Sequence, residues 1–357
     1  MTTLGTIDEH ARHEDRAISR DSAANHDRCP EAPALRVTVV IPTYLRPTWL
    51  VGCMKSLLAQ TRLPDEVIAV MRDDDTATHE AFDRFLSSQN PAPSEGNSIS
   101  IRHAMVSEPG FLAPIAAGIK SATGDVVAFI DDDAEAYPDW LERLLALYKD
   151  PTVVGVGGRY VNIYGGMEAR YPTAKRVGRF HWWGSFEGNM YRDLPTSEPR
   201  EVDFFIGGNM SYRREALQCV RIDAALANDV AFHYEVDLGQ QVKQSGGQLI
   251  YDPLARIRHY SAPRAQAGMR DPDRDTICWY SHNTLYLAMK HSGAVQRWLA
   301  LVYSFAIGQS RAWGVLAAAT SVFRRRNAQA LRELKPALRG KLQAIRSFRQ
   351  RLTEVSE

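Results

Sequence analysis

The sequence predicts an α/β protein in which a mostly parallel, doubly wound sheet is flanked by helices and followed by a helical C-terminal extension. Three observations predict it. Short apolar, β-branched runs alternate with helix-period segments from residue 36 onward. The runs lack polar–apolar alternation, which suits strands buried on both faces of a parallel sheet. An acidic triplet, Asp131, Asp132 and Asp133, ends one such run, where open α/β sheets bind their ligands.

"RVTVVIPTYLRP" opens the ordered part with a strand stopped by Pro42. "PTWLVGCMKSLLAQT" follows as a helix, with Pro47 near its start and Leu50, Met54, Leu57 and Leu58 at helical spacing. "DEVIAVM" is a second strand, "AFDRFLSSQ" a helix, "ISIRHAMV" a third strand and "APIAAGIKSATG" a helix ended by Gly124. "DVVAFI" is the fourth strand. Pro138 then opens a helix whose Trp140, Leu141, Leu144, Leu145 and Tyr148 make one apolar stripe. "TVVGVGGRYVNIY" returns to strand, and residues 164–199, rich in Gly, Pro and aromatics, predict irregular loops or a β-ribbon. "VDFFIGGNMSYRREAL" reads strand, glycine turn, strand, helix. "YEVDLGQQVKQSG" is a helix, "QLIYDPLARIRHY" supplies the last strands, and beyond Met269 the pattern is helical. The expected organisation is a disordered tail over 1–35, the sheet domain over 36–268 and a helical, basic extension over 269–357.

With 45% hydrophobic and 24% charged residues among 357, the composition is that of a globular protein. A net charge of +1 gives no sign of a polyanionic partner, and nucleic acid is not expected. Cys29, Cys53, Cys219 and Cys278 form no CxxC pair, which argues against a disulfide scaffold or a structural zinc site and fits a reducing cytosol. The N-terminal residues carry no apolar core of a signal peptide. Charge is uneven, however: from Arg324 onward there are ten Lys or Arg against three Glu.

Three adjacent carboxylates repel one another, and none can be buried unpaired without a cost of several kcal/mol. In extended chain the side chains of Asp131 and Asp133 project to one side and can share a hard divalent cation, Mn²⁺ or Mg²⁺. A solvated acidic turn is the plain alternative. An EF-hand is excluded, since Ala136 stands where that loop needs glycine.

The fragments "VTVVIPTYLRP", "AAGIKSATGDVVAFIDDDAEAYPDWLERLL", "GGNMSYRREAL" and "YEVDLGQQVKQSG" occur in this order and together resemble the family 2 glycosyltransferases over roughly residues 36–260. That resemblance implies a GT-A-type, Rossmann-like fold and metal-dependent, inverting transfer from a nucleotide-diphospho-sugar to a glycan or lipid-linked acceptor. It implies donor contacts at Pro42, Thr43, Tyr44 and Arg46, and at Asp131 and Asp132 of the DxD. The second strand normally ends in an Asp pair; here Met71 and Arg72 stand there, so Arg72 or Asp73 is the substitute contact. Asp131 and Asp133 would hold the metal, with His259 in "RIRHYS" as a further ligand; a packed or surface histidine is the alternative. The base of this family is the second acid of a pair opening a helix. In "HYEVDL" that position is Glu235, with Asp237 as its helper, and the alternative is two helix-start acids favoured by the helix dipole. Gly207, Gly208 and Asn209 resemble the acceptor-side loop, a plain tight turn being the alternative. Trp182 and Trp183 are candidates for stacking on a sugar, or core residues. Arg213 and Arg214 are candidates for the diphosphate, or for a solvated helix start.

The stretch from Trp298 to Arg326 is the most apolar, but Gln309, Ser310 and Arg311 divide it into runs shorter than the roughly 20 residues that span a bilayer. Two helices against the core or a membrane interface are expected. With the basic tail behind them, an anionic membrane surface, reached from the cytoplasmic side, is the expected partner. A nucleotidyltransferase, or a non-catalytic binder of nucleotide or glycan, remains as an alternative function.

Overall fold

The structure, a computed structural model, describes residues 34–89, 99–181, 183–227, 233–262, 274–309, 311–325 and 328–356. The tail expected over 1–35 falls outside them save for its last residues, as do Trp182 and Arg326. Residues 35–357 form one compact unit.

The first half alternates as the apolar runs dictate: β1 (Val37–Pro42), α1 (Pro47–Leu58), β2 (Glu66–Arg72), α2 (Thr76–Ser88), β3 (Ser100–Val106), α3 (Leu112–Ser121) and β4 (Val126–Ile130). Next come β5 (Ala134–Ala136), α4 (Trp140–Leu147), β6 (Val153–Tyr164) and three short strands, β7 (Met167–Glu168), β8 (Arg179–Phe180) and β9 (Phe186–Glu187). They are followed by β10 (Arg200–Val202), β11 (Asn209–Arg213), α5 (Arg214–Gln218), α6 (Tyr234–Gln244) and β12 (Gln248–His259). The C-terminal part holds α7 (Arg274–Lys290), α8 (Ala294–Ala306), the two-residue β13 (Gly308–Gln309) and β14 (Ala312–Trp313), α9 (Val315–Arg325) and α10 (Gln329–Ser356).

The main sheet runs β10-β12-β6-β11-β4-β1-β2-β3, with β5 on β12 and β7 on β6. Strands β3, β2, β1 and β4 are mutually parallel, as are β6 and β12, while β11 lies antiparallel between β4 and β6. Both faces of β1, β2 and β4 are buried, and successive residues of one strand divide between two cores. Val37, Val39 and Ile41 of β1 face a core with Leu50 and Met54 of α1 and Trp140 of α4. Val40 faces the other, with Ile115 of α3, Val236 and Val242 of α6, Tyr286 of α7 and Phe348 of α10. This double burial explains the unbroken apolar runs.

Order 3-2-1-4 about β1 makes the space beyond the ends of β1 and β4 a topological switch point, and the Asp triplet opens there. Two expectations need correction. Phe204 and Phe205 are not strand but buried core residues in a loop, because β10 already ends at Val202. Gly124 does not end a helix. α3 stops at Ser121, and a Cβ on Gly124 would crowd the backbone of Arg36–Thr38, so glycine lets this loop pass close to β1.

Candidate active site

The triplet is not extended. A turn closed by Ala134 N–H donating to the Asp131 carbonyl (3.1 Å) carries it, and β5 begins at once. Because β5 pairs antiparallel with the end of β12, Ala134 lies opposite His259, and this register brings the histidine to the acids. The His259 Nε2 is 3.4 Å from Asp133 Oδ1 and 3.9 Å from Asp131 Oδ2. One ligand atom from each of the three residues lies within 4.8 Å of the others. His259 Nδ1 faces Asn162 Oδ1 at 3.2 Å; a proton on Nδ1 leaves the Nε2 lone pair toward the carboxylates, the tautomer a metal ligand needs. Two carboxylates and an imidazole fit a divalent cation.

Each acid of the triplet has its own surroundings. Asp133 is buried, with Oδ2 accepting from Ala262 N–H (2.7 Å) and Oδ1 turned to His259. Asp132 accepts from Thr43 Oγ1 (2.8 Å) and from Arg46 (2.7 Å). Burial pushes its carboxyl up to about 6 despite the Arg46 guanidinium. Asp131 accepts from Tyr160 OH at 3.4 Å, and the Tyr160 ring meets His259 edge-on at 5.2 Å.

Beside them Gly207 and Gly208 make room. Gly208 has φ +84°, and a Cβ there would collide with the Asp131 carboxylate and the Tyr160 hydroxyl. On Gly207 it would collide with the Tyr234 hydroxyl. Tyr234 opens α6, and the next residue is Glu235, half-buried and pushed up to about 7 by burial. Burial first, then the charges of Asp131 and Glu235 among others, raise the Tyr160 phenol; Glu235 and Asp131 likewise raise Tyr234. These two tyrosines are thus within electrostatic reach of the metal-type acids and of the recessed glutamate.

Residues 38–221, more than half of the chain, match the family model described as glycosyl transferase family 2. The chain belongs to the family 2 glycosyltransferases. Among curated relatives, the glycosyltransferase is 27% identical over 233 residues to a glucosyl-dolichyl phosphate glucuronosyltransferase of Haloferax volcanii, covering 63% of this chain and 69% of that one. It is 28% identical over 327 residues to a pre-mycofactocin glycosyltransferase of Mycobacterium tuberculosis, covering 85% of this chain but only 63% of the relative. Solved structures share the fold. GalNAc-T7 with UDP, GalNAc and Mn²⁺ gives a TM-score of 0.57 at 16% identity, over 84% of this chain and 55% of that one. The mannosyltransferase PcManGT of Pyrobaculum calidifontis, in complex with GDP-Man and Mn²⁺, gives 0.52 at 15%, over 87% of each chain. The GT-A architecture and the glycosyltransferase class expected from the motifs therefore hold, and the nucleotidyltransferase and non-catalytic alternatives lapse.

Several residues singled out from the sequence are occupied elsewhere in the glycosyltransferase. The Asp237 carboxylate, expected to help Glu235, is held by Lys290 (2.8 Å), His291 (2.7 Å) and Gln241 (2.9 Å), which fastens α6 to the end of α7. Asn209, expected on the acceptor side, is buried and engaged inside the protein, accepting from Trp140 Nε1 (2.8 Å) and donating to the carbonyls of Arg159 and Ala255 (both 3.1 Å). Arg213 pairs across from Val126, at the end of β4 remote from the triplet, and donates to the Val153 and Tyr148 carbonyls. Arg214 donates to the Gly124 carbonyl.

Other candidates remain at the mouth of the sheet. Pro42 ends β1, and Thr43 N–H donates to the Val70 carbonyl, tying the two strand ends together. Arg72 lies over the Tyr44 ring at 4.4 Å and pairs with Asp74, while Asp73 is exposed. Trp183 stacks on His181 at 4.3 Å. Sequence reasoning missed Tyr160, Asn162 and Tyr234. The first two lie two apart on β6, so strand alternation puts both on one side, and that was the available signal. It missed His233 too, whose backbone is left-handed (φ +67°) immediately before α6 and whose ring lies 4.9 Å from Tyr280.

Proposed function

We propose that the glycosyltransferase moves a sugar, with inversion at the anomeric carbon, from a nucleotide-diphospho-sugar to a glycan or lipid-linked acceptor. Asp131, Asp133 and His259 would hold a divalent cation, Mn²⁺ or Mg²⁺. Such an ion, when bound, neutralises charge on a leaving diphosphate. Thr43, Tyr44 and Arg46 would line the donor, with Arg72 and Asp73 toward the base and Asp132 fixing Thr43 and Arg46 in place. Glu235 accepts the proton of the acceptor hydroxyl as its oxygen bonds to the anomeric carbon. The bond from that carbon to the diphosphate oxygen breaks, and its electron pair leaves with the nucleoside diphosphate.

One observation carries this reading: Asp131, Asp133 and His259 converge at the switch point, with a recessed glutamate, held near neutral pKa, within reach of the same two tyrosines. A base with that pKa retains its proton-accepting form at working pH without being wasted on solvent. The related structures, two with Mn²⁺ and one of S. aureus TarS with UDP-GlcNAc, support the donor class and the metal. The dolichyl phosphate in the name of the Haloferax relative supports a lipid-linked acceptor.

The test is donor binding. Uridine, thymidine, guanosine and cytidine diphospho-sugars are titrated with and without Mn²⁺ against the wild-type protein and Asp133→Ala. Mn²⁺-dependent binding of one nucleotide class, lost in the variant, is expected. Binding indifferent to both metal and substitution would overturn the assignment.

A further inference from the structure

Helices α8 and α9 pack against each other and on α10, and α8 also on α7, yet each turns apolar side chains to solvent. On α8, Val295, Trp298, Leu299 and Val302 recur at positions i, i+3, i+4 and i+7, so they share one face; Trp298 is 71% exposed and Val295 74%. On α9, Leu316 and Phe323 stand seven apart, with Phe323 87% exposed, and Ile307 just after α8 and Val315 at the start of α9 are open too. A soluble protein seldom leaves so many large apolar groups together without a partner.

Charge names the partner. The segment 294–326 contains five arginines, Arg297, Arg311 and Arg324–Arg326, and no Asp or Glu. On α10, Arg332, Lys335, Arg339, Arg346 and Arg349 are exposed, and none pairs with a carboxylate among the described residues. An apolar helical face with basic groups and no acids fits anionic lipid headgroups above an acyl layer. Among the described residues no helix is long and apolar enough to cross a membrane.

This surface is also joined to the catalytic wall. The Tyr303 phenol of α8 lies close enough to Ser185 and Trp183, in the loop beside the expected acceptor site, for them to act on its charge. Gln309, in the turn after α8, donates to Tyr280 OH (3.2 Å), and Tyr280 is within electrostatic reach of Glu235. We infer that the α8–α9 face, led by Trp298 and Phe323, docks on an anionic bilayer surface and holds the Glu235 side of the site toward it. The inference rests on the proposed lipid-linked acceptor for its purpose but not for its test, since vesicle binding requires no turnover.

The test is flotation with vesicles of phosphatidylcholine alone and of phosphatidylcholine with phosphatidylglycerol. Wild-type protein is compared with Trp298→Ser/Phe323→Ser and with Val295→Ser/Val302→Ser. All four positions are exposed, so circular dichroism and donor binding are expected to match wild type. Wild type should float with the anionic vesicles and far less with neutral ones, and each double variant should bind at least about tenfold more weakly. Absence of binding to anionic vesicles, or undiminished binding by both variants, would overturn the docking face while leaving the transfer chemistry intact. So would a lipid-free dimer that the variants dissociate, since the face would then be an interface between two copies.

Discussion

Glu235, the proposed base, is held between two opposed requirements. A general base must be ionised to accept a proton, whereas burial raises its pKa from the ordinary carboxylate value to about 7. The folded protein therefore keeps a proton that the unfolded chain releases between about pH 4.5 and 7. Its contribution to stability is fully present below that window and is lost as pH rises through about 7. Glu235→Gln should accordingly raise stability at pH 8 by about 2 kcal/mol, read by urea unfolding, and leave the protein's advantage smaller at pH 5. The same variant should lose transfer by about 10²–10⁴-fold with donor affinity unchanged. In wild type, kcat/KM should climb with pH and level above about 7; a flat profile from pH 5 to 8 would remove Glu235 from the role. A second test falls on Asn162, whose Oδ1 faces His259 Nδ1 at 3.2 Å. Asn162→Ala should weaken Mn²⁺ binding about 10–100-fold by freeing the imidazole to turn, measured by calorimetry. The acids and His259 were legible because their residue types state their chemistry. Tyr160 and Asn162 were not, since a tyrosine and an asparagine on a strand are indistinguishable from core and surface until β12 brings His259 alongside.

The elements around the site were legible to different degrees, and for physical reasons. Strands β1, β2 and β4 show as apolar runs because both their faces are buried. The start of α6 could be read, but not what Asp237 does there, because its partners Lys290 and His291 lie more than fifty residues away at the end of α7. Asn209 posed the same difficulty: it follows the glycines of an acceptor-type loop, yet its amide joins α4, β6 and β12. Asn209→Ala strips the Trp140 indole and the carbonyls of Arg159 and Ala255 of their partner. A loss of about 2–4 kcal/mol is expected, visible as a lowered urea midpoint, with acceptor KM unchanged in the folded fraction. Lys341 is a further case. It is fully buried, with Nζ donating to the carbonyls of Ser304 (2.6 Å), Ala312 (2.9 Å) and Trp313 (2.7 Å). Burial lowers it to about 8, so at neutral pH it is still the ammonium that closes the C-terminal end of α8 and the β14 turn.

From sequence, the segment after Arg324 reads as a basic tail, because its charges dominate any average. In the fold the same segment supplies an inner wall. Ala330, Ala337, Lys341, Ala344 and Phe348 are buried along one side of α10, and Ala344 and Phe348 belong to the core beneath the sheet. Gly340 lies so close to α7 that a Cβ would collide with the Cys278 carbonyl, and Arg351 reaches Asp223, which also binds Lys290 and Tyr286. Small residues permit this approach while adding little hydrophobicity, so no hydropathy pattern announces it. Lys290 then holds Asp237, and α10 is connected through these groups to the helix that presents Glu235. A chain ending before α10 should therefore lose more than a solvated tail would. It would expose Tyr286 and Met289 of α7, unpair Asp223 from Arg351 and loosen α6. We expect that truncation to lower Tm by roughly 10 °C or more and to abolish transfer, measured by calorimetric melting and by donor turnover. Unchanged melting with intact turnover would make α10 an appendage and leave the placement of α6 to α7 alone.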